Sequence, residues 1–395
     1  MPLQRQLYLI LFCFILGNLF FSVNSFSQQL RYNFKNFTPS EGLPSSEVYQ
    51  VLQDSRHYMW FATDHGVCRY NGYTFETFNL PDNSILGLYE DVKKRIWAYS
   101  FSGQLFYYEN GKFEVYRWND QLIKAIRPGV ITGIYVDSVD VLHVSATGPS
   151  YIKITEKGKV ENLFKIERTA KISSFQTTGN EFYTSITTYN SKFNSRGPNE
   201  RRTEFTIFLK TGKLNIVVPH LVLPERCRLR LLSNGEMIFY SRDCIVKIST
   251  KGSFQVQKTF FSVEDIEEID GNYYIATGNG LIIQDKEGKI LSEYFKGLHI
   301  TSIEKDYEGG LWFSSITNGV FYLNNSSIKH LAHNNVIVEK RVNVLLKLKD
   351  SVFLGAVDPN EIIKCRIDKS YESIVLNMKS IYSLYRYSSL VIIAG

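Results

Sequence analysis

The chain has 395 residues, with 45 Lys and Arg against 39 Asp and Glu, and 14% of it is aromatic. That apolar surface supplies a core and excludes disorder. The net charge of +6 is spread out, with only the short pairs Arg201-Arg202 and Lys340-Arg341, so nucleic-acid binding is excluded as well.

Met1 to Ser27 carries one charge, Arg5, ahead of an apolar run over residues 7–21 and small residues at Ser25 and Ser27. A basic start, an apolar middle and a small-residue exit predict a secretory signal peptide over 1–27. The run is shorter than the ~20 residues a membrane span needs. The chain beyond Ser27 is expected outside the cytoplasm, in the periplasm.

A repeat begins soon after. Its first copy starts at Val48 (VYQVLQDSRHYMWFATDHGVCRYNGYTFETF), its second at Ile85 and another at Ile300. In each, an Asp closes an apolar run and a Trp follows six residues later: Asp54 and Trp60, Asp91 and Trp97, Asp306 and Trp312. Gly66, Gly103 and Gly319 come next at near-constant spacing. Weaker copies keep part of this ruler, with Asp137 and His143 in one and Tyr274 and Gly280 in another. Internal repeats of about 40 residues point to stacked units sharing cores.

Within the first copy, VYQVLQD and MWFATD are β-branched and aromatic runs joined by a polar turn. GVCRYNG and YTFETF follow, joined by Asn71-Gly72, a tight-hairpin signal. Four antiparallel strands per repeat make a propeller blade. The fold class is therefore all-β: a seven-bladed β-propeller of four-stranded antiparallel blades, followed by the opening blades of a second propeller. Blades are expected near Val48, Ile85, Ile131, Ile172, Leu229, Glu267 and Ile300, with Arg31 to Phe37 as the outer strand that closes the ring. The corresponding domains are 28–340 and an incomplete 341–395. The repeated Trp is expected between blades, where burial contributes about 1.5–3 kcal/mol; a sugar-binding role is the alternative.

No catalytic constellation is present, and no G-x-S-x-G, P-loop, H-E-x-x-H or EF-hand pattern occurs. No cofactor and no metal site are expected: the cysteines form no C-x-x-C pair, and His330 and His333 would face opposite sides of a strand. Cys227 and Cys244 flank a hairpin and are close enough in sequence to pair, against the alternative of buried thiols. The acidic run Glu264 to Asp270 (EDIEEID) reads as a turn and a solvated strand face. Ligand contacts in propellers come from loops converging at one end of the ring. The candidates are Asp64, His65, Phe101, Ser102, Asn279 and Asn318, weighed against ordinary turn chemistry.

The run from Glu41 to Phe78 resembles the first blade of the two-component-regulator propellers, the periplasmic sensor regions of bacterial histidine kinases. The matching residues are Gly42-Leu43-Pro44-Ser45, Asp54, Trp60-Phe61-Ala62-Thr63, Gly66, Arg69-Tyr70 and Gly72-Tyr73. The stretch from Phe175 to Leu232 departs from the pattern. The resemblance implies two sequential propellers, an immunoglobulin-like domain, a membrane helix at the inner membrane and a kinase, none of the last three within this sequence. It implies a non-enzymatic sensory module with a glycan or other small ligand, membrane-proximal domains of the same protein as partners, and a homodimer. A passive envelope scaffold and a polysaccharide-degrading enzyme are the alternatives.

Overall fold

The 48–78 repeat folds as its alternation dictates. Val48–Gln53, Met59–Thr63, Gly66–Tyr70 and Phe75–Phe78 pair antiparallel in sequence order. The computed structural model describes residues 30–32, 34–147, 150–162, 170–178, 181–189, 202–209, 212–219, 228–232, 234–241, 244–324, 330–331, 342–349, 352–357, 361–366, 369–375, 381–387 and 390–394. The expected signal segment, Cys227, His333 and both basic pairs as side chains lie outside the described residues.

Equivalent four-stranded meanders cover 85–115, 131–162, 228–258 and 263–294. Residues 300–323 supply three strands, and Lys35–Phe37 adds the fourth by pairing with Val320 to Tyr322. The N-terminal strand thus lies where the sequence places it, on the outer edge of the last blade. Strands over 170–219 also pair as a four-stranded sheet, described by backbone alone. The expected seven blades are therefore corrected to six described down to their side chains, because the departing stretch 175–232 carries the remaining sheet. The architecture is an all-β propeller of four-stranded antiparallel blades.

The described chain divides into two compact units, Phe34–Asn325 and one formed by the chain ends. In the second unit, Val342–Lys349, Val352–Val357, Glu361–Arg366 and Lys369–Val375 make one more four-stranded sheet. Ser383–Tyr387 and Leu390–Ala394 form a two-stranded hairpin beside a core of Leu354, Ile362, Ile381 and Leu384. These strands are one blade-like sheet and a pair, which is less than a second propeller. No helix among the described residues is long and apolar enough to cross a membrane.

The Asp–Trp ruler has a direct cause. Asp54 Oδ2 accepts the Trp60 indole N–H at 2.8 Å, while Oδ1 accepts the amides of Arg56 and Tyr58 at 2.9 and 2.8 Å. Asp91 with Trp97 and Asp306 with Trp312 repeat the bond at 2.8 Å. One carboxylate caps the turn and satisfies a buried indole, which fixes their spacing. Trp60, 1% exposed, packs between the 48–78 and 85–115 blades against Ile85, Leu88 and Phe106. Trp97 fills the next seam, and Trp312 the one between the last and first blades. Burial leaves no indole face for a sugar.

The glycine of the ruler opens the third strand. Gly66 and Gly319 have φ of +94° and +71°, and a Cβ there would lie 2.4 Å from the Phe78 carbonyl oxygen and 2.1 Å from that of Phe37. The fourth strand, whether it comes from within the repeat or from the N-terminus, sits too close for any side chain.

Inner strands of neighbouring blades share no ladder, so side chains stitch them. A bulge follows the first residue of the inner strand, as between Val48 and Gln50, Val263 and Asp265, or Ile300 and Ser302. The bulged residue then accepts from the next blade: Gln50 from the Leu88 amide at 2.8 Å, Asp265 from Ile303 at 2.9 Å, Ser302 from Val51 at 3.5 Å.

One helix, α1 (Asn119–Ile126), interrupts the meander where none was expected. It lies in a connection between blades and replaces no strand. Leu122 and Ile126 enter the core, and Asn119 bonds both the amide and the carbonyl of Leu105, at 2.9 and 3.0 Å.

Candidate functional site

Each sheet is an antiparallel meander and the inner strands follow one another around the ring, so the turns between second and third strands share one end with the connections between blades. The six sequence candidates lie in those turns. A buried hydroxyl at the end of the second strand shapes each: Thr63, Thr277 and Ser315 donate to the carbonyls of Gly66, Gly280 and Gly319 at 2.8, 2.8 and 2.9 Å. The same oxygens accept from the amides of His65, Asn279 and Asn318. This is turn chemistry first.

Some of the candidates converge. His65 Nδ1 lies 2.9 Å from Asp64 Oδ2. Burial would raise the Asp64 carboxyl, but bonds with His65 and Ser45 outweigh it and hold it below the usual range. Phe101, 40% exposed, meets the Tyr49 ring edge-on at 5.0 Å. Burial and the Glu47 carboxylate, which accepts its hydroxyl, push Tyr49 up. Ser102 donates to Asp82 Oδ2 at 2.6 Å. Asp64, Phe101 and Ser102 thus border one patch over the first two blades. Asn279 accepts the Gly297 amide at 3.1 Å and Asn318 accepts the Thr317 hydroxyl at 2.7 Å.

The charged groups that sequence reasoning missed lie on the inner strands. Val263–Ile269 is such a strand; of EDIEEID only Asp270 lies in a turn, while Asp265 is buried and Glu264, Glu267 and Glu268 are half-buried rather than on a solvated face. Asp265, 6% exposed, accepts from Arg230 at 2.8 Å, the Tyr240 hydroxyl at 2.9 Å and the amides of Ile266 and Ile303 at 2.9 Å each. Arg230 also reaches Glu267 at 3.1 Å. Glu304, from the next blade, accepts the Gln53 amide at 3.4 Å. Burial pushes the Glu304 carboxyl up to about 8, with Arg230 and the Gln53 amide opposing and Glu267 and Asp265 reinforcing. Glu267 is raised by burial as well, with Arg230 opposing. The field of Arg228, in the 228–258 blade, is felt by Tyr99 in the 85–115 blade. Side chains from separated blades therefore face a common central space. The only sequence signal was the acidic run itself.

Among the described residues, no group of three or more His, Cys, Asp or Glu side chains could hold a metal ion. The Cys227–Cys244 pairing falls outside the described residues because Cys227 does.

Residues 42–65 match the two component regulator propeller family. Over those residues, the chain is similar to the repeat of the two component regulator propellers. Histidine kinase P4 of Formosa agariphila is 33% identical over 66 residues, 16% of this chain and 5% of that protein. Among solved structures, the propeller is similar to an extracellular domain assigned to a hybrid two component system of B. thetaiotaomicron. That likeness has a TM-score of 0.62 at 16% identity, over 90% of this chain and 51% of that one. A streptogramin B lyase matches at a TM-score of 0.53 and 14% identity, over 76% of this chain and 99% of the lyase. At such identities the likeness is one of fold, and this chain spans about half of the extracellular domain it resembles.

Proposed function

We propose that this propeller is the extracytoplasmic sensing module of a two-component histidine kinase, carrying ligand occupancy to membrane-proximal domains. The observation that carries the reading is the 42–65 repeat, which joins the family match to a blade whose Asp54 and Trp60 build the seam the family motif encodes. The kinase likeness and the extracellular propeller support it. In this reading the 1–27 segment directs export to the periplasm, and the inner membrane anchors the whole protein. In the same reading, 342–394 begins a second ring. The chain itself performs no catalysis and needs no cofactor. A glycan or other small ligand binds at the patch bordered by Asp64, Phe101 and Ser102, and a homodimer transmits the signal.

Two measurements test this. Alkaline phosphatase fused after residue 395 is expected to be active in living bacteria; an inactive, stable fusion overturns export. Calorimetric titration of the full chain with an oligosaccharide panel is expected to find a binder whose affinity drops in Phe101→Ala. Enzymatic turnover of any panel member would refute the sensory reading in favour of a degrading enzyme.

A further inference from the structure

The seam after the 228–258 blade departs from the three that carry a tryptophan. In the 228–258 blade, the positions of Asp54 and Trp60 are held by Leu232 and Ile238. Strand registers extend the comparison. Trp60 pairs with Arg69, and Ile238 with Lys247. Val67 pairs with Phe78, and Ile245 with Gln257. Across the seam, Ile96 pairs with Tyr108, and Tyr273 with Gln284. Around Trp60 the seam is closed by an aromatic stack, with Phe78 and Tyr108 at 5.8 and 5.0 Å. The later seam puts isoleucine and two glutamines in those places.

The consequence is a cavity of about 420 Å³ between the 228–258 and 263–294 blades. Ile238, Ile245, Ile266 and Ile275 form its apolar wall, and Gln257, Gln284 and Lys247 are among its polar lining. Gln257 and Gln284 bond each other at 3.4 Å. Tyr273 also lines it; this residue is 5% exposed, and its buried hydroxyl makes no well-formed hydrogen bond among the described residues. Lys247 lies beside that ring, near enough to the phenol oxygen for it to favour the charged ammonium, and Glu236 is 3.2 Å from the same ammonium. A buried hydroxyl without a well-formed hydrogen bond costs free energy that a bound polar group would recover.

We propose that this cavity is a binding site for a small planar heteroaromatic molecule, whose ring takes the space an indole fills at other seams and whose polar atom meets the Tyr273 hydroxyl. The isoleucine wall favours the ring by apolar burial, and Gln255, Lys286 and Glu287 add to the polar side of the lining. The glutamine pair gives the edge a hydrogen-bonding rim. The site lies between blades, away from the patch at the ring end, so it stands or falls independently of the sensory reading.

Indole is the probe, titrated into the full chain by calorimetry and followed by saturation-transfer NMR. Wild type is expected to bind, and Ile238→Trp, which restores the indole to the protein, to weaken binding at least tenfold while keeping or raising the melting temperature. Ile245→Phe narrows the same cavity from the neighbouring strand, and gives the answer if the first variant does not fold. Tyr273→Phe keeps the ring and is expected to lower affinity several-fold. No indole binding to wild type, or wild-type affinity in the folded filling variants, overturns the site. Unchanged affinity in Tyr273→Phe overturns the role of the hydroxyl.

Discussion

Replacing Asp54 with Ala removes one carboxylate and three hydrogen bonds. The Trp60 indole N–H loses its 2.8 Å acceptor inside a residue 1% exposed, and the amides of Arg56 and Tyr58 lose the cap of their turn. A buried donor left unpaired costs about 1–3 kcal/mol. The turn amides regain some water, so their loss adds about 1–2 kcal/mol. The expected total is about 2–5 kcal/mol, a large part of the ~5–15 kcal/mol typical of a domain. In a Trp60→Phe background there is no indole N–H to strand, so the same deletion should cost only the turn component. Guanidinium denaturation of wild type, both single variants and the double gives the coupling energy, expected at about 1–3 kcal/mol. Circular dichroism is the suitable probe, since it reads the sheets directly. A coupling below about 0.5 kcal/mol would refute the claim that one carboxylate serves both indole and turn.

Other expectations rest on the same structure. Gly319→Ala puts a Cβ 2.1 Å from the Phe37 carbonyl oxygen at a φ of +71°, so the N-terminal strand should loosen and trypsin should cut after Lys35 sooner than in wild type; an unchanged digestion rate would contradict it. Asp265→Ala leaves Arg230, Tyr240 and the Ile303 amide short of an acceptor, with an expected loss of about 3–5 kcal/mol in denaturant titration. Glu304, whose folded pKa is raised to about 8, binds a proton in the folded state that the unfolded chain has already released. Its contribution is therefore fully present below the ordinary carboxyl pKa and is lost as pH rises through about 8. Glu304→Gln should flatten that decline in melting temperature, which runs from about pH 4.5 to about pH 8. His143, lowered to about 4 mainly by burial, acts in the opposite sense: stability falls as pH drops from about 6.5 toward 4, and His143→Phe should remove that acid loss.

The blades were legible because their chemistry is local. The six-residue step from Asp54 to Trp60 records a carboxylate that must cap a turn and reach an indole on the next strand. Gly66 and Gly319 record a fourth strand lying against the third. Helix α1 was missed because eight residues between two meanders carry too short a period to stand out, and its anchoring by Asn119 to Leu105 is a tertiary contact. The acidic run was misread for the same kind of reason. Its exposure depends on which strand is innermost, and Arg230, its partner, lies 35 residues earlier than Asp265. Of the loop candidates, Phe101 meets Tyr49 of the inner strand and Ser102 meets Asp82 of the connection, neither of which the turn pattern flags.

The sequence by itself determined strand order, the four-strand unit and the N-terminal strand on the outer edge of the last blade, since each follows from periodicity, hairpin turns and a repeated spacing within about 40 residues. Tertiary structure alone decided the rest. Inner strands have no ladder between them, so their neighbours are joined through bulged side chains such as Gln50 and Asp265. Likewise, Ile238 in place of an indole becomes a cavity only because Gln257 and Gln284, from two different blades, stand where aromatic rings would have closed it. Contacts across a seam depend on which repeats adjoin, and no single repeat encodes that.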